Sequence, residues 1–269
     1  MKLAMVISTP DAGFDALAFK DDLKRSIEKL HALGFDGVEI AIRDPSKVNV
    51  GEIRSIIEKR NMDLVAIGTG QIYLQEGLNF LTEDEDLRIR TIERLKKHVD
   101  LAENFGAYVI IGLVRGHRKG IPKDRAMELL LDGIGKLADY AKERKVKIVV
   151  EAINRYEVDT LNTLEETLEF LELLKRDNVG ILADTFHMNI EEPVMEESLK
   201  KVGKKLFHVH IADSNRWAPG RGHIDFGSII GTLREIGYDG YLSAEILPLP
   251  DPDTSAKETM EYMRQFFKG

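Results

Sequence analysis

The chain has no cysteine, which excludes disulfides and thiolate metal sites and leaves histidine, aspartate and glutamate as the side chains able to hold a metal. The same absence suits a reducing compartment. No stretch approaches the ~18 apolar residues of a membrane-crossing helix, and the opening MKLAMVISTP is too short an apolar run for a secretory signal. A cytoplasmic location without a membrane partner is therefore expected. Positive charge is not in excess: 38 lysines and arginines face 46 aspartates and glutamates, giving a net charge of −8. The pI is about 5.5, and the basic residues are scattered along helix-like segments rather than gathered in blocks. A phosphate backbone would find no footprint, so nucleic acid is not an expected partner. The segment STPDAGFDA, after the first apolar run, has no G-x-G-x-x-G, and a doubly wound dinucleotide fold loses its usual signature.

What the sequence does have is alternation. A hydrophobic content of 43% over 269 residues is enough for a large core. Eight short apolar, β-branched runs recur: KLAMVIS (2–8), GVEIAI (37–42), LVAIG (64–68), YVIIGL (108–113), KIVVEAI (147–153), VGILAD (179–184), LFHVHIAD (206–213) and YLSAEI (241–246). Between them lie segments of helical period. In 22–34, DLKRSIEKLHALG, Leu23, Ile27, Leu30 and Leu33 share a face and Gly34 is placed to cap the C-terminus. The segments 87–106 and 127–145 repeat the pattern. Near-continuous apolar strands alternating with helices predict a parallel sheet covered by helices, and eight such units without a linker predict a single (β/α)₈ TIM barrel domain over 1–269.

In such a barrel, chemistry gathers at the C-terminal ends of the strands. The fifth run carries Glu151, the sixth ends in Asp184 with His187 close behind, the seventh holds His208 and His210, and the eighth holds Glu245. Each has an ordinary explanation: His208 as a satisfied barrel histidine, Glu151 and Glu245 as core carboxylates paired with arginine. Together, Glu151, Asp184, His210 and Glu245 come from four successive strands and form a ring. Three buried carboxylates there would repel one another without a cation, so one divalent metal is expected. Nitrogen and oxygen donors of this kind suit Mn²⁺, Mg²⁺ or Co²⁺, with Zn²⁺ also compatible. His210, nearer the strand end than His208, is expected to be the ligand and His208 its support.

The set VVEAINR (149–155), ILADTFH (181–187), HVHIADSNR (208–216), PGRGHIDF (219–226) and SAEI (243–246) resembles the sugar isomerase and epimerase superfamily of xylose-isomerase-like barrels, and its spacing is most similar to the D-tagatose and D-psicose 3-epimerase group. The resemblance implies one metal, Mn²⁺ foremost, on Glu151, Asp184, His210 and Glu245. It implies that Glu151 and Glu245 also act as acid and base, and that Glu157, His187 and Arg216 contact the substrate. The implied activity is inversion of the hydroxyl-bearing carbon next to the ketone of a ketose or a keto-sugar acid, such as 5-keto-L-gluconate going to D-tagaturonate. An aldose–ketose isomerase on the same scaffold is the alternative.

An abasic-site nuclease of the same superfamily would need further histidines after the third and fourth strands, where IGTGQIY (67–73) and GLVRGH (112–117) offer glycines. A non-catalytic sugar-binding module is the other competing class. The loop VRGHRKG (114–120) sets Arg115, with Arg118 and Lys119, near the expected rim, where Arg115 could contact an anionic group of the substrate; a solvated basic loop is the plainer expectation. The expected partner is a small sugar, with homo-oligomerisation left open.

Overall fold

The computed structural model describes residues 1–9, 13, 19–20 and 22–267. Eight strands run parallel and close on themselves in sequence order: β1 (Lys2–Ser8), β2 (Gly37–Ala41), β3 (Asp63–Gly68), β4 (Tyr108–Ile111), β5 (Ile148–Glu151), β6 (Val179–Asp184), β7 (Leu206–Ile211) and β8 (Tyr241–Ala244). Pairing of Lys2 with Tyr241 and Met5 with Ala244 joins the first strand to the last. The expected (β/α)₈ barrel is the observed one, with each strand buried along nearly its whole length.

Among the described residues, ten α-helices follow in chain order. They are α1 (Leu23–Leu33), α2 (Val50–Glu58), α3 (Gly70–Glu76), α4 (Glu85–Glu103), α5 (Lys123–Glu143), α6 (Leu164–Leu174), α7 (Thr185–Glu191), α8 (Met195–Val202), α9 (Phe226–Glu235) and α10 (Pro252–Met263). None is long and apolar enough to cross a membrane. Local chemistry sets their ends. Asp22 accepts from the Lys24 amide at the start of α1, and Gly34, at φ 95°, closes it in the left-handed conformation that the sequence places there. The main core lies between sheet and helices, and a smaller set of Ala66, Ile110, Val149 and Leu182 packs separately from it.

Several strands stop earlier than their apolar runs. β4 ends at Ile111 because residues 113–115 coil into a 3₁₀ turn, and β5 and β8 end at Glu151 and Ala244. The consequence matters for chemistry: Glu151 is the last residue of its strand and Glu245 lies one past the end of its own.

Two register shifts adjust the barrel wall. Between β2 and β3, Val38 pairs with Leu64 and Glu39 with Ala66, so Val65 drops out of the ladder. Between β6 and β7, Ile181 pairs with Leu206 and Leu182 with His208, so Phe207 drops out. Bulges of this kind re-aim the side chains that follow them.

Candidate active site

At the C-terminal end of the barrel, Glu151, Asp184, His210 and Glu245 each present a ligand atom, and these atoms lie within 4.8 Å of one another. Asp184 stands opposite His210 in the β6–β7 ladder. His210 Nδ1 is 3.7 Å from Glu151 Oε1 and 3.8 Å from Glu245 Oε2. One oxygen of Asp184 accepts from the Phe186 amide at 2.8 Å, capping α7; its other oxygen, like His210 Nδ1, is buried without a hydrogen-bond partner. Buried polar atoms left in this condition are rare unless something else satisfies them.

The electrostatics point the same way. Burial and the neighbouring Glu245 push the Glu151 carboxyl well above the ordinary carboxylate range. Burial raises Asp184 to about 6, against the pull of Arg216 and His210. Burial opposes charge on His210, yet Glu39, Glu245 and Glu151 together lift it to about 10. A set of carboxylates that must take up protons, beside an imidazole that must keep one, is a site short of positive charge. A divalent cation among these four donors would meet that need, and the donor set, three carboxylates and one imidazole, fits one. The four residues grouped by the sequence are therefore together in space and able to bind a metal ion.

The three expected substrate contacts surround the quartet. Arg216 donates to Glu157 at 2.9 Å and to Glu245 at 2.8 Å, and its guanidinium lies 4.8 Å from the centre of the Phe186 ring. Its backbone is left-handed, at φ 62°, an uncommon state for a residue with a long side chain and one that concentrates at functional sites. The conformation is enforced locally. The Arg216 amide donates to the Asp213 carbonyl at 2.8 Å and its carbonyl accepts from Leu247 at 2.8 Å, while the Asp213 carboxylate takes the amides of Ser214, Gly220 and Ile224.

His187 Nδ1 accepts from Asn154 at 2.7 Å, and Asn154 also donates to Glu157 at 3.1 Å. Burial, with the nearby Arg216, holds His187 well below its usual value, so the ring is neutral and carries its proton on Nε2. That nitrogen sits 3.6 Å from Asp184 Oδ2 and 3.7 Å from Glu151 Oε1, turned toward the quartet. An open cavity of about 550 Å³ is lined by Glu151, Glu157, His187, His210, Arg216 and Glu245, and elsewhere by Gly68, Gly70 and Gly112 among apolar side chains with Thr69 and Gln71.

Arg115 requires correction. It does not stand at the rim: it is fully buried, and its Nη1 donates to the backbone carbonyl of Glu151. The reason is the 3₁₀ turn after β4, which folds the chain back beneath the mouth instead of continuing the strand outward. An anionic substrate group has no path to it. Arg118 lies 3.5 Å from Asp159 and lines a separate cleft.

Glu39 and Asn154 were not singled out in the sequence. Glu39 carried a signal, a carboxylate inside the apolar run GVEIAI, of the same kind that marks Glu151 and Glu245. Asn154 carried none beyond its place in VVEAINR. Glu39 accepts from His208 Nε2 at 3.0 Å and from His210 Nε2 at 3.0 Å, so the histidine expected to be supporting is bound to the same carboxylate as the expected ligand.

Residues 27–266 match the family described as xylose isomerase-like TIM barrel, and the chain belongs to that family. It is 31% identical over 230 residues to the ketose 3-epimerase of Arthrobacter globiformis, covering 84% of this chain and 77% of that protein. It is also 26% identical over 274 residues to the 3-dehydro-D-guloside 4-epimerase of Escherichia coli, covering 97% and 99%. Among solved structures, the D-allulose 3-epimerase of a Methylomonas species in complex with D-allulose superposes with a TM-score of 0.83 at 26% identity, covering 98% of this chain and 97% of that one. The chain is accordingly a carbohydrate epimerase, of the isomerase class.

Proposed function

We propose that this barrel is a metal-dependent epimerase that inverts the hydroxyl-bearing carbon beside the ketone of a ketose or keto-sugar acid. The observation that carries the reading is the pair Glu151 and Glu245, brought to one side chain of His210 from strands β5 and β8. Inversion requires that a weakly acidic C–H proton be removed from one face and a proton returned from the other. Glu151 and Glu245 are the two carboxylates placed for this, one acting as base and the other as acid, their roles exchanging with the direction of reaction. Glu151, Asp184, His210 and Glu245 would hold one divalent ion, Mn²⁺ ahead of Mg²⁺, Co²⁺ or Zn²⁺. Bound there, the ion supplies electrophilic stabilisation of the charge that develops on the substrate oxygens.

The remaining groups orient the sugar. His187 offers an Nε2–H donor toward the reacting end, and Asn154 fixes the tautomer that makes this so. Glu157 holds the Arg216 fork in place from one side while Glu245 engages it from the other, leaving the guanidinium plane over Phe186 to bound the cavity. The burial of Arg115 removes the reason for favouring a keto acid over a neutral ketose. One barrel domain carries the activity, in the cytoplasm as the cysteine-free composition suggests, with a small sugar as partner rather than nucleic acid or membrane.

The experiment is a panel of neutral ketoses, keto-acids and ketose phosphates incubated with the Mn²⁺-loaded protein and followed by NMR. Inversion next to the ketone, with solvent deuterium at the inverted carbon, is expected. Migration of the carbonyl along the chain would make the protein an aldose–ketose isomerase instead.

A further inference from the structure

His208 and His210 alternate along β7, so both rings point into the barrel, and both end on one carboxylate. Glu39 Oε2 lies 3.0 Å from each Nε2, and Oε1 lies 3.1 Å from that of His210. All three side chains are buried, and the two rings meet edge to face at 5.3 Å. These residues also form a compact group of metal-competent donors; each Nε2 is at hydrogen-bond distance from Glu39, so hydrogen bonds alone satisfy the group.

An imidazole that donates from Nε2 turns Nδ1 toward whatever lies opposite. In His210 that nitrogen faces Glu151 and Glu245 and has no hydrogen-bond partner. We propose that Glu39 is a positioning residue, fixing the His210 ring so that Nδ1 alone is presented to the metal, with His208 holding the carboxylate from its other side. The inference rests on the metal-dependent reading of the site. It assigns a task to a carboxylate that would otherwise be a costly occupant of the barrel interior, since an apolar side chain of similar volume would fill the space without a charge to compensate. One bulge supports it. Phe207 leaves the ladder directly before His208, on the strand that must aim both imidazoles.

The test is a Mn²⁺ titration of metal-stripped wild type, Glu39→Gln and His208→Gln by calorimetry. ¹⁵N spectra of the imidazoles follow, in metal-free and ¹¹³Cd-loaded protein. Both carboxylate oxygens lie within 3.1 Å of His210 Nε2, so an amide at position 39 sets an N–H donor against that nitrogen in either orientation, and His210 must change tautomer or give up a bond. Mn²⁺ affinity should fall about 10–100-fold, the range seen when the partner of a ligating histidine is lost. His208→Gln keeps an N–H donor for Glu39 and should cost only a few-fold. In wild type, cadmium coupling should appear at His210 Nδ1. Coupling at Nε2, or a Glu39→Gln protein with wild-type affinity and unchanged His210 shifts, overturns the proposal. If Glu39→Gln does not fold, the coupling in wild type decides alone. Wild type that binds neither ion overturns the metal-dependent reading and the positioning role of Glu39 with it, whereas binding through Nε2 overturns the positioning role only.

Discussion

Strands β5 to β8 carry ionisable side chains within one residue of their ends, Glu151, Asp184, His210 and Glu245, whereas the neighbouring β3 and β4 end in or before residues with almost nothing beyond the backbone, Gly68 and Gly112. Both sides line the same cavity. One half of the rim supplies charge and the other supplies room. The division is physical: four buried ionisable groups on one side are tolerated only with a compensating charge, while a sugar must still lie against them, so bulk has to be given up on the facing wall. Gly112 shows how closely the two halves are fitted. A β-carbon at that position would come within 2.5 Å of Glu151 Oε2.

The largest effects should follow from stripping the charged half. Chelation with EDTA should abolish turnover, and metal analysis of active, dialysed protein should give one ion per chain; full activity in metal-free protein would sink the assignment. Glu151→Gln and Glu245→Gln should each lower turnover ~10²–10⁴-fold or more, with a much smaller loss of metal affinity. In D₂O each variant should exchange the C–H only of the epimer whose hydrogen faces the surviving glutamate, and should fail to invert it. Near-normal epimerisation in both would reduce these glutamates to structural ligands. Next comes the contrast within β7. His210→Ala should lose Mn²⁺ affinity far more than His208→Ala, and the reverse ranking would mean that the ligand on β7 has been misassigned.

The small-residue half can be broken too. Gly112→Ala places a methyl against the end of a flexible carboxylate, so the protein should fold with little change in melting temperature. Displacing that carboxylate should nevertheless lower kcat on the order of 10²-fold, as misplacement of a reacting group by about 1 Å does. Wild-type kcat would show that Glu151 has slack and that the fit is not a constraint. The smallest effect belongs to Arg118, outside the cavity and paired with Asp159. Arg118→Ala should leave kcat/KM for neutral and acidic sugars within a few-fold of wild type. A selective loss for acids would return the basic loop to the site.

The charged half was the more legible of the two in the sequence. A strand buried on both faces reads as a continuous apolar run, so Glu151, Asp184, His210 and Glu245 stood out against their surroundings, and the barrel then fixed which ends must meet. Glu39 broke the same rule within GVEIAI but stood in the middle of its strand, and its role depends on a partner 169 residues away that no local pattern reveals. Arg115 failed in the opposite direction. Composition marked the loop 114–120 as basic and exposed, yet whether an arginine lies over a rim or beneath it depends on the direction of one 3₁₀ turn, which YVIIGLVRG does not display. Glycines 68 and 112 could be read as the absence of ligands but not as the space for a substrate, because room is a property of what faces a residue rather than of the residue.

The bond from Glu39 to the histidines of β7 also has a meaning in time. A chain made from its N-terminus delivers Glu39 long before residues 206–211 exist, and β1 cannot find its second neighbour until 241–244 have followed. Until then the carboxylate of β2 can be hydrated but not buried, because no imidazole is available to receive its charge. An early half-barrel is therefore discouraged from closing on itself into a dry, finished-looking core. Such long-range dependence favours slow, late consolidation, and here the group that waits is one that completes the pocket.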